Sequence, residues 1–348
     1  MPTSTRPTPH PTLRRATPAV AVASLAALTL SACGGNSSAA DESSGEITIE
    51  HALGTAQIEG DPERVVALGQ GSAETAIALG VTPVGKQEYP WGADDSGYLP
   101  WIHEAVQANG DELPELFTGG EEMDVEAIVD LEPDVILAPW TGIDQEQYDV
   151  LSDIAPTVAY EEEPWTVTWD GQIETVAEAL GKEDQAEDLI EEIEAQFEEA
   201  SRPEWEDITY SYIYNDGPGT LGVFYPSEQR AAMVDKLGLT PDPVTESEQL
   251  KEYDVEGTDS AMIGLENADM LSDSDLIFTF YSDAETRKEI ESQDLYQSIP
   301  AVERGSVVAP EDPSLVTASS MINPLTVPWV LERYIPMIEE AVAELDQD

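Results

Sequence analysis

Two glutamates at matching positions of a repeated segment are the clearest candidates for specific chemistry. Val125–Ala138 reads Val-Glu-Ala-Ile-Val-Asp-Leu, a short break, and then Asp-Val-Ile-Leu-Ala, and a near copy returns at Leu265–Phe280. Each copy has a glutamate, Glu126 or Glu266, after its first apolar residue, and each ends in an apolar run typical of a buried strand. The repeat predicts two similar lobes. One carboxylate on each lobe predicts a docking surface with two points of attachment.

Other motifs that could carry chemistry are incomplete. Residues 217–222 match the dinucleotide pattern G-x-G-x-x-G, but residues 223–226 have the pattern of a strand rather than of a phosphate-binding helix, so we predict a hairpin turn. His103 and Glu104 begin a zinc-protease pattern that position 107, a glutamine, breaks. The chain has no G-x-S-x-G or Cys-x-x-Cys motif and three histidines, which argues against a hydrolase and against a carrier of zinc or manganese.

The charge of the chain is strongly negative. It has 72 acidic residues against 14 lysines and arginines, for a formal charge of −58. Such a chain repels the phosphates of nucleic acids and is not attracted to anionic membrane surfaces. The acids are scattered along the sequence, which indicates a well-solvated surface rather than a store for cations.

The first 32 residues have the layout of a secretory leader. They contain three arginines and no acid, and they include the apolar stretch 19–30, which is too short to span a membrane as a helix. Leu30-Ser31-Ala32-Cys33 resembles a bacterial lipobox, and Cys33 is the only cysteine of the chain. We therefore expect lipidation at Cys33 and no disulfides. The pair Arg14-Arg15 leaves the export route, general or twin-arginine, open.

The remainder of the chain alternates helix and strand patterns, as parallel α/β proteins do. Predicted strands include 64–68, 81–85, 135–138, 157–160, 208–214, 221–225 and 276–280, and predicted helices include 73–79, 125–131, 145–154, 229–237 and 328–345. Residues 183–200 form one long amphipathic pattern, which would extend about 27 Å as a helix and could join two lobes.

This order of elements resembles the substrate-binding lipoproteins of iron-siderophore ABC importers, a group that includes vitamin B12 binders. The stretches that carry the resemblance, which covers residues 47–345, are Arg64–Leu68, Ala78–Gly85, Glu132–Leu137, Ala155–Val158 and Ala179–Lys182. The resemblance implies two Rossmann-like α/β lobes with mainly parallel sheets, joined by one long helix, the class III periplasmic-binding-protein fold. The expected divisions are 1–32 leader, 33–46 lipidated cysteine and tether, 47–164 N-terminal lobe, 165–202 helical segment and 203–348 C-terminal lobe.

The resemblance also implies which residues bind the ligand and the importer. Ligands of open α/β sheets bind at the carboxyl ends of the strands, where Trp140 and Tyr281 each follow a predicted strand. Arg230 lies near the position where similar siderophore binders have a cleft arginine, and Trp91 and Tyr225 are in neighbouring loops. Glu126 and Glu266 match the lobe glutamates that dock onto arginines of the membrane permease in this family.

We therefore expect a monomeric, lipid-anchored extracytoplasmic receptor that passes a ferric siderophore to an ABC permease and performs no chemistry on it. Iron would be held by the siderophore, so no cofactor and no metal ligand are expected. Aromatic residues and one arginine in an acidic chain favour a neutral or cationic complex, such as a ferric hydroxamate, over an anionic catecholate. Haem or cobalamin remain alternative cargoes, and a lipid-anchored hydrolase is the alternative from another class of protein.

Overall fold

The computed structural model describes residues 45–347. The expected leader, Cys33 and most of the expected tether lie outside the described residues. Within the described range, the helices are all too short or too polar to cross a membrane.

Helices and strands alternate along the described chain. The first half contains β1 (Glu46–His51), β2 (Gly54–Glu59), β3 (Val65–Ala67), α1 (Ser72–Ala78), β4 (Gly85–Gln87), α2 (Pro100–Asn109), β5 (Glu115–Phe117), α3 (Val125–Asp130), β6 (Val135–Leu137), α4 (Gln145–Ser152), β7 (Thr157–Val158), α5 (Trp169–Ala179) and α6 (Glu183–Ala200). The second half contains β8 (Thr209–Tyr214), β9 (Gly222–Phe224), α7 (Gln229–Lys236), β10 (Thr240–Pro241), β11 (Ser260–Met262), β12 (Leu276–Phe278), α8 (Ala284–Glu291), α9 (Asp294–Gln297), α10 (Pro300–Arg304), β13 (Val307–Val308), α11 (Pro313–Ala318) and α12 (Thr326–Ala343). Short 3-10 helices lie at Gly120–Glu122, Pro203–Trp205, Pro243–Glu246, Leu250–Tyr253, Leu265–Leu271 and Glu344–Gln347.

The first lobe, called the N-lobe, is built on a five-stranded parallel sheet of order β5-β4-β3-β6-β7. Its central strand is apolar at every position because helices cover both faces, as is usual for parallel sheets. Val65 and Ala67 face a core that includes residues of α1, α2 and α5, while Val66 and Leu68 face a second core with residues of α3 and α4. The run 64–68 therefore has no polar alternation.

The second lobe, called the C-lobe, has a mixed six-stranded sheet of order β11-β9-β8-β12-β13, with β10 also paired to β8. Strands β8, β10, β12 and β13 are parallel, while β9 and β11 run antiparallel to their neighbours. The antiparallel pairing of β8 with β9 confirms that residues 217–222 belong to a hairpin connection rather than to a phosphate-binding loop.

Helix α6 links the two sheets, and its buried face joins their cores. It has the 18 residues expected from the sequence, with Ala186, Ile193, Phe197 and Ala200 buried. One apolar cluster contains these residues together with side chains from both sheets and from α12. A continuous core along α6 and α12 therefore joins the two lobes.

Parts of the fold differ from the sequence expectations. The strand expected at 81–85 begins only at Gly85, because the N–H of Val81 is bonded to Ala76 in closing α1 and Pro83 has no N–H to donate. The hairpin β1–β2 and helix α2 were not expected. In β1, the first strand of the hairpin, polar and apolar residues alternate from Glu46 to Glu50. The hairpin is joined to the N-lobe by a hydrogen bond of 3.1 Å from the N–H of Ala52 to the carbonyl of Tyr160.

Candidate functional site

A cavity of about 360 Å³ lies between the two lobes. It is lined by Trp140, Trp165, Thr166, Val167, Thr168, Trp169 and Asp170 from the N-lobe side and by Pro226, Ser227, Glu228, Gln229, Ala232 and Asp259 from the C-lobe side. Trp140 comes three residues after the carboxyl end of β6, which is the edge where open α/β sheets bind their ligands. We call this space the interlobe cavity. Its volume lies at the lower end of the range of small-molecule sites.

Two tryptophans form the aromatic side of this cavity. The rings of Trp140 and Trp165 meet edge to face, with centroids 4.7 Å apart. Trp165 has a φ of 65°, a conformation that costs a non-glycine residue free energy, and yet 49% of the residue is exposed. Such a conformation persists only where neighbouring contacts hold it, and here the indole contacts Trp140 and the backbone of Gly142. We call Trp140 and Trp165 the tryptophan wall.

Gly142 makes room for the tryptophan wall. A Cβ atom at this position would lie 2.6 Å from Nε1 of Trp165, closer than real side chains approach. The glycine is therefore needed for its small size, which lets the indole rest directly on the backbone.

Arg230 stands at the first turn of α7, on the C-lobe side of the interlobe cavity. Its guanidinium bonds the carboxylate of Glu228, and its Nε lies 3.2 Å from Oγ of Ser320. The rings of Phe224 and Phe280 are 5.0 and 5.5 Å from the guanidinium carbon. Burial raises the pKa of the Glu228 carboxyl, and the arginine opposes that rise. Arg230 is thus neutralised beside the cavity rather than presented as a free cation.

Trp91 is placed across the lobes but outside the lining of the interlobe cavity. Its indole N–H donates to the carbonyl of Ser282 in the C-lobe, at 3.2 Å. The next residue, Gly92, accepts a 2.9 Å bond from the hydroxyl of Ser314, also in the C-lobe. The loop after β4 therefore bridges the two lobes beside the cleft.

A buried lysine supports the strand that carries this loop. Lys86 on β4 is 2% exposed, and its Nζ donates to the carbonyl of Gln87 at 2.5 Å and lies 5.0 Å from the ring centre of Tyr89. Burial lowers the pKa of Lys86 to about 8, and the Glu74 carboxylate acts in the opposite direction. Glu74 is itself held by the indole N–H of Trp101 at 3.0 Å. These two buried charged residues were not expected from the sequence.

Tyr281 and Tyr225 are turned into the C-lobe. Tyr281 is 8% exposed, packs in the C-lobe core, and has its hydroxyl 2.8 Å from that of Tyr296, while burial raises its pKa. Tyr225 packs against the same core, and its hydroxyl bonds the carboxylate of Asp254. The five residues expected to bind the ligand are therefore not brought together. Trp140 lines the interlobe cavity, Arg230 lies beside it, and Trp91, Tyr225 and Tyr281 do not line it.

A larger cavity of about 790 Å³, the C-lobe cavity, lies beside Tyr281. It is enclosed by residues of one lobe, and its charged residues include Arg287, which forms ion pairs with Glu291 at 2.8 Å and Glu311 at 2.7 Å. A ligand bound among residues of one lobe alone would not contact the other lobe. The interlobe cavity is therefore the better candidate, although it is smaller.

A model of the periplasmic binding protein family matches residues 65–312, which include both sheets. The chain belongs to this family. It is 27% identical over 310 residues to the probable siderophore-binding lipoprotein YfiY of Bacillus subtilis, an alignment that covers 85% of this chain and 91% of the relative.

Solved structures of binding proteins have the same fold. PiaA of Streptococcus pneumoniae, in complex with ferrichrome, is 30% identical and superposes with a TM-score of 0.76 over 86% of this chain and 99% of its own. SirA of Staphylococcus aureus, complexed with staphyloferrin B, is 24% identical, with a TM-score of 0.62 over 86% of this chain and 98% of its own, and shows the fold alone. The two-lobed class III architecture expected from the sequence is confirmed.

The paired glutamates of this binding protein occupy equivalent elements. Glu126 lies in the first turn of α3, which leads to β6, and Glu266 lies in the first turn of the 3-10 helix Leu265–Leu271, which leads to β12. Both are exposed, and within residues 45–347 neither takes part in an ion pair. A carboxylate in a first helical turn is stabilised by the helix dipole and remains available to a partner.

Sequence reasoning missed Trp165, Trp169 and Glu228 as residues of the cavity. Trp165 and Trp169 follow the acidic run 161–163 and stand just before and at the start of α5, capped by the Thr168 side chain. Two large aromatic residues four positions apart, at the start of a helix that follows a strand, could have indicated a binding site. The reason is that such a position lies near the carboxyl end of the preceding strand, β7. Glu228 is the N-cap residue of α7, and only the structure shows that it neutralises Arg230.

Proposed function

We propose that this binding protein captures a ferric siderophore between its two lobes and delivers it to an ABC importer. The observation that carries the proposal is the interlobe cavity with its tryptophan wall, at the carboxyl end of the N-lobe sheet. Membership of the family, and the similarity to the probable siderophore-binding lipoprotein YfiY and to PiaA in complex with ferrichrome, give further support.

The geometry fits recognition of a bulky organic shell. The faces and edges of Trp140 and Trp165 offer apolar contact to the siderophore backbone, and backbone and hydroxyl groups of residues 166–168 offer hydrogen bonds. The iron would be held by the oxygens of the siderophore itself. Among residues 45–347 no group of histidine, cysteine and carboxylate side chains is arranged to hold a metal ion.

Delivery would use the paired glutamates. Glu126 and Glu266 each stand exposed at the start of a helix in a different lobe, so two arginines of a permease could fix both the position and the orientation of the receptor. A lipid on Cys33 would keep the receptor at the membrane, which a chain of such negative charge would not approach by electrostatic attraction.

A titration of intrinsic tryptophan fluorescence tests the proposal. The chain from residue 34 onward would be mixed in separate runs with ferrichrome, ferrioxamine B, a ferric triscatecholate, haem and cobalamin. We expect saturable quenching at submicromolar levels by a ferric siderophore and a much weaker response to its iron-free form. A response to haem or cobalamin alone would overturn the siderophore assignment, and silence throughout would overturn the carrier function.

A further inference from the structure

The charged residues that line the interlobe cavity are all acidic. They are Asp170, Glu228 and Asp259, and no lysine or arginine lines the cavity in the part of the chain that the structure describes. A low-dielectric cleft with one sign of charge concentrates ligands of the opposite sign. The charge of the lining therefore bears on which siderophores the cleft accepts.

The two bases that contact residues of this lining, Arg230 and Lys236, are already neutralised. Arg230 is paired with Glu228, and Nζ of Lys236 is 2.7 Å from a carboxylate oxygen of Glu194. Asp170 and Asp259 take part in no ion pair within the described range. The net charge that faces the cavity is thus negative, and these two carboxylates supply it.

The aromatic side of the cavity favours the same sign of charge. The faces of tryptophan rings attract cations, by about 0.5–1 kcal/mol at exposed sites and about 2 kcal/mol or more when water is excluded. One ring of the lining already shows this contact, since Lys236 lies 5.2 Å from the ring centre of Trp169. The tryptophan wall, Trp140 and Trp165, has no lysine or arginine over its rings in the described chain.

The two carboxylates stand on opposite lobes. Asp170 is in the first turn of α5, next to the tryptophan wall, whereas Asp259 precedes β11, where its carbonyl accepts a 2.9 Å bond from the N–H of Tyr225. A cation in the cavity could therefore contact both lobes at once, and closure of the cleft would bring both negative charges towards it.

We propose that the interlobe cavity recognises a pendant cationic group of the siderophore, a primary ammonium, between the tryptophan wall and the carboxylates of Asp170 and Asp259. This inference rests on the proposed function, because it names a class of siderophore for the same cleft. The carrier then prefers a ferric hydroxamate with a free amino group to its neutral analogue, and it rejects anionic catecholate complexes.

The test compares two ligands that differ only in the charge of the pendant group. Ferrioxamine B carries a terminal ammonium, and acetylation of that nitrogen gives a neutral molecule with the same iron centre. Affinities for both would be measured by calorimetry with the chain from residue 34 onward, at low and at high salt. We expect ferrioxamine B to bind about tenfold more tightly at low salt, which corresponds to about 1.4 kcal/mol, and the preference to shrink as salt is added.

Variants assign the preference to the two carboxylates. Asp170→Asn combined with Asp259→Asn should reduce the tenfold preference to about twofold, by weakening ferrioxamine B while leaving the neutral form unchanged. The matched control, Asp130→Asn combined with Asp188→Asn, removes the same charge from exposed positions on α3 and α6 and should keep the preference.

Each outcome decides between the two proposals. Equal affinities for the two ferrioxamines, or a preference that survives the Asp170 and Asp259 substitutions, would overturn the ammonium subsite while the carrier function stands. Binding of ferrichrome without binding of either ferrioxamine would do the same. Failure of every ferric siderophore to bind would overturn the proposed function and the subsite with it.

Discussion

Trp140 and Tyr281 occupy equivalent places in the two lobes, and the structure uses them differently. Each comes three residues after the end of a central parallel strand, β6 or β12. Trp140 lines the interlobe cavity, whereas Tyr281 packs into the C-lobe core and bonds Tyr296. Internal similarity therefore fixes where a residue stands on the sheet but not which way its side chain turns.

The two sides of the cleft differ in the same way. On the C-lobe side the polar groups satisfy one another, as Arg230 with Glu228 and Tyr225 with Asp254 show. On the N-lobe side, Trp165 remains half exposed on a strained backbone. We expect the N-lobe side to supply most of the contact energy for a ligand, and the C-lobe side to supply a surface whose polar groups are already paired.

The largest effect should come from the tryptophan wall. Trp140→Ala combined with Trp165→Ala should weaken ferric siderophore binding by about a thousandfold, or ~4 kcal/mol, because both residues would act as buried aromatic anchors. Calorimetry measures the loss without relying on tryptophan emission. Tyr281→Phe is the control on the other lobe, and it should leave affinity unchanged and reduce the free energy of unfolding by about 1 kcal/mol, since it removes one buried hydrogen bond. A loss of affinity from Tyr281→Phe larger than that from the double tryptophan variant would show that the C-lobe residue, and not the tryptophan wall, carries the binding.

Two bases, one in each lobe, provide a second contrast. Arg230 has a carboxylate partner, but Lys86 bonds a carbonyl, and burial lowers its pKa from the usual 10.5 to about 8. The lysine ammonium therefore holds its proton more tightly in the unfolded chain than in the folded one. Burial of the charged Lys86 lowers the free energy of unfolding by its full amount below pH 8. This loss disappears as the pH rises through 10.5, above which the lysine is neutral in both states.

Denaturant unfolding of the wild type and of Lys86→Met across this range measures that cost. The wild type should gain about 3 kcal/mol of unfolding free energy relative to the variant between pH 8 and 10.5. Titrations common to both proteins, such as those of the buried tyrosines, cancel in the difference. If the difference in unfolding free energy between the two proteins does not change with pH, burial of the charged Lys86 does not destabilise the folded protein.

The paired glutamates should behave alike although their lobes differ. Glu126→Arg combined with Glu266→Arg should reduce iron-siderophore uptake by cells about tenfold or more, because repulsion replaces two charge-assisted contacts with the permease. Ligand affinity in solution should not change, since both residues lie outside the interlobe cavity. The control Asp188→Arg combined with Glu340→Arg, at exposed positions on α6 and α12, should transport normally. Normal uptake by the Glu126 and Glu266 variant would remove their docking role.

The smallest effect should come from Gly142→Ala. The new methyl group would displace the Trp165 indole, whose Nε1 lies 2.6 Å from the Cβ position, so affinity should fall about threefold, ~0.7 kcal/mol. Gly222→Ala is a comparison in the C-lobe, where the added methyl would meet the Tyr214 ring at 2.2 Å, and it should lower stability rather than affinity. Affinity unchanged in Gly142→Ala would show that Trp165 need not keep its position.

Much of the fold could be predicted from the sequence, because continuous apolar runs such as 65–68 and 135–138 are stable only as strands buried on both faces. The stripe of apolar residues in 183–200 likewise predicted α6 with the observed bounds. The β1–β2 hairpin escaped prediction because much of it is polar and its pairing depends on contact with the N-lobe.

The site was less predictable than the fold. Position after a strand led to Trp140, which the structure places in the lining of the interlobe cavity, but the same argument could not show that Tyr281 turns towards Tyr296. Trp165 was missed because its exposure depends on a left-handed backbone and on contact with Gly142, neither of which has a local sequence pattern. The neutralisation of Arg230 by Glu228 similarly requires knowledge of side-chain geometry.

A crystal structure of the binding protein with ferrioxamine B tests the central claim most directly, because the two cavities predict different positions for the iron complex. We expect the complex between the lobes, with its organic shell against Trp140 and Trp165 and its iron coordinated only by the siderophore. A complex seated in the C-lobe cavity beside Tyr281 and Arg287, or iron bound directly by protein side chains, would contradict the account.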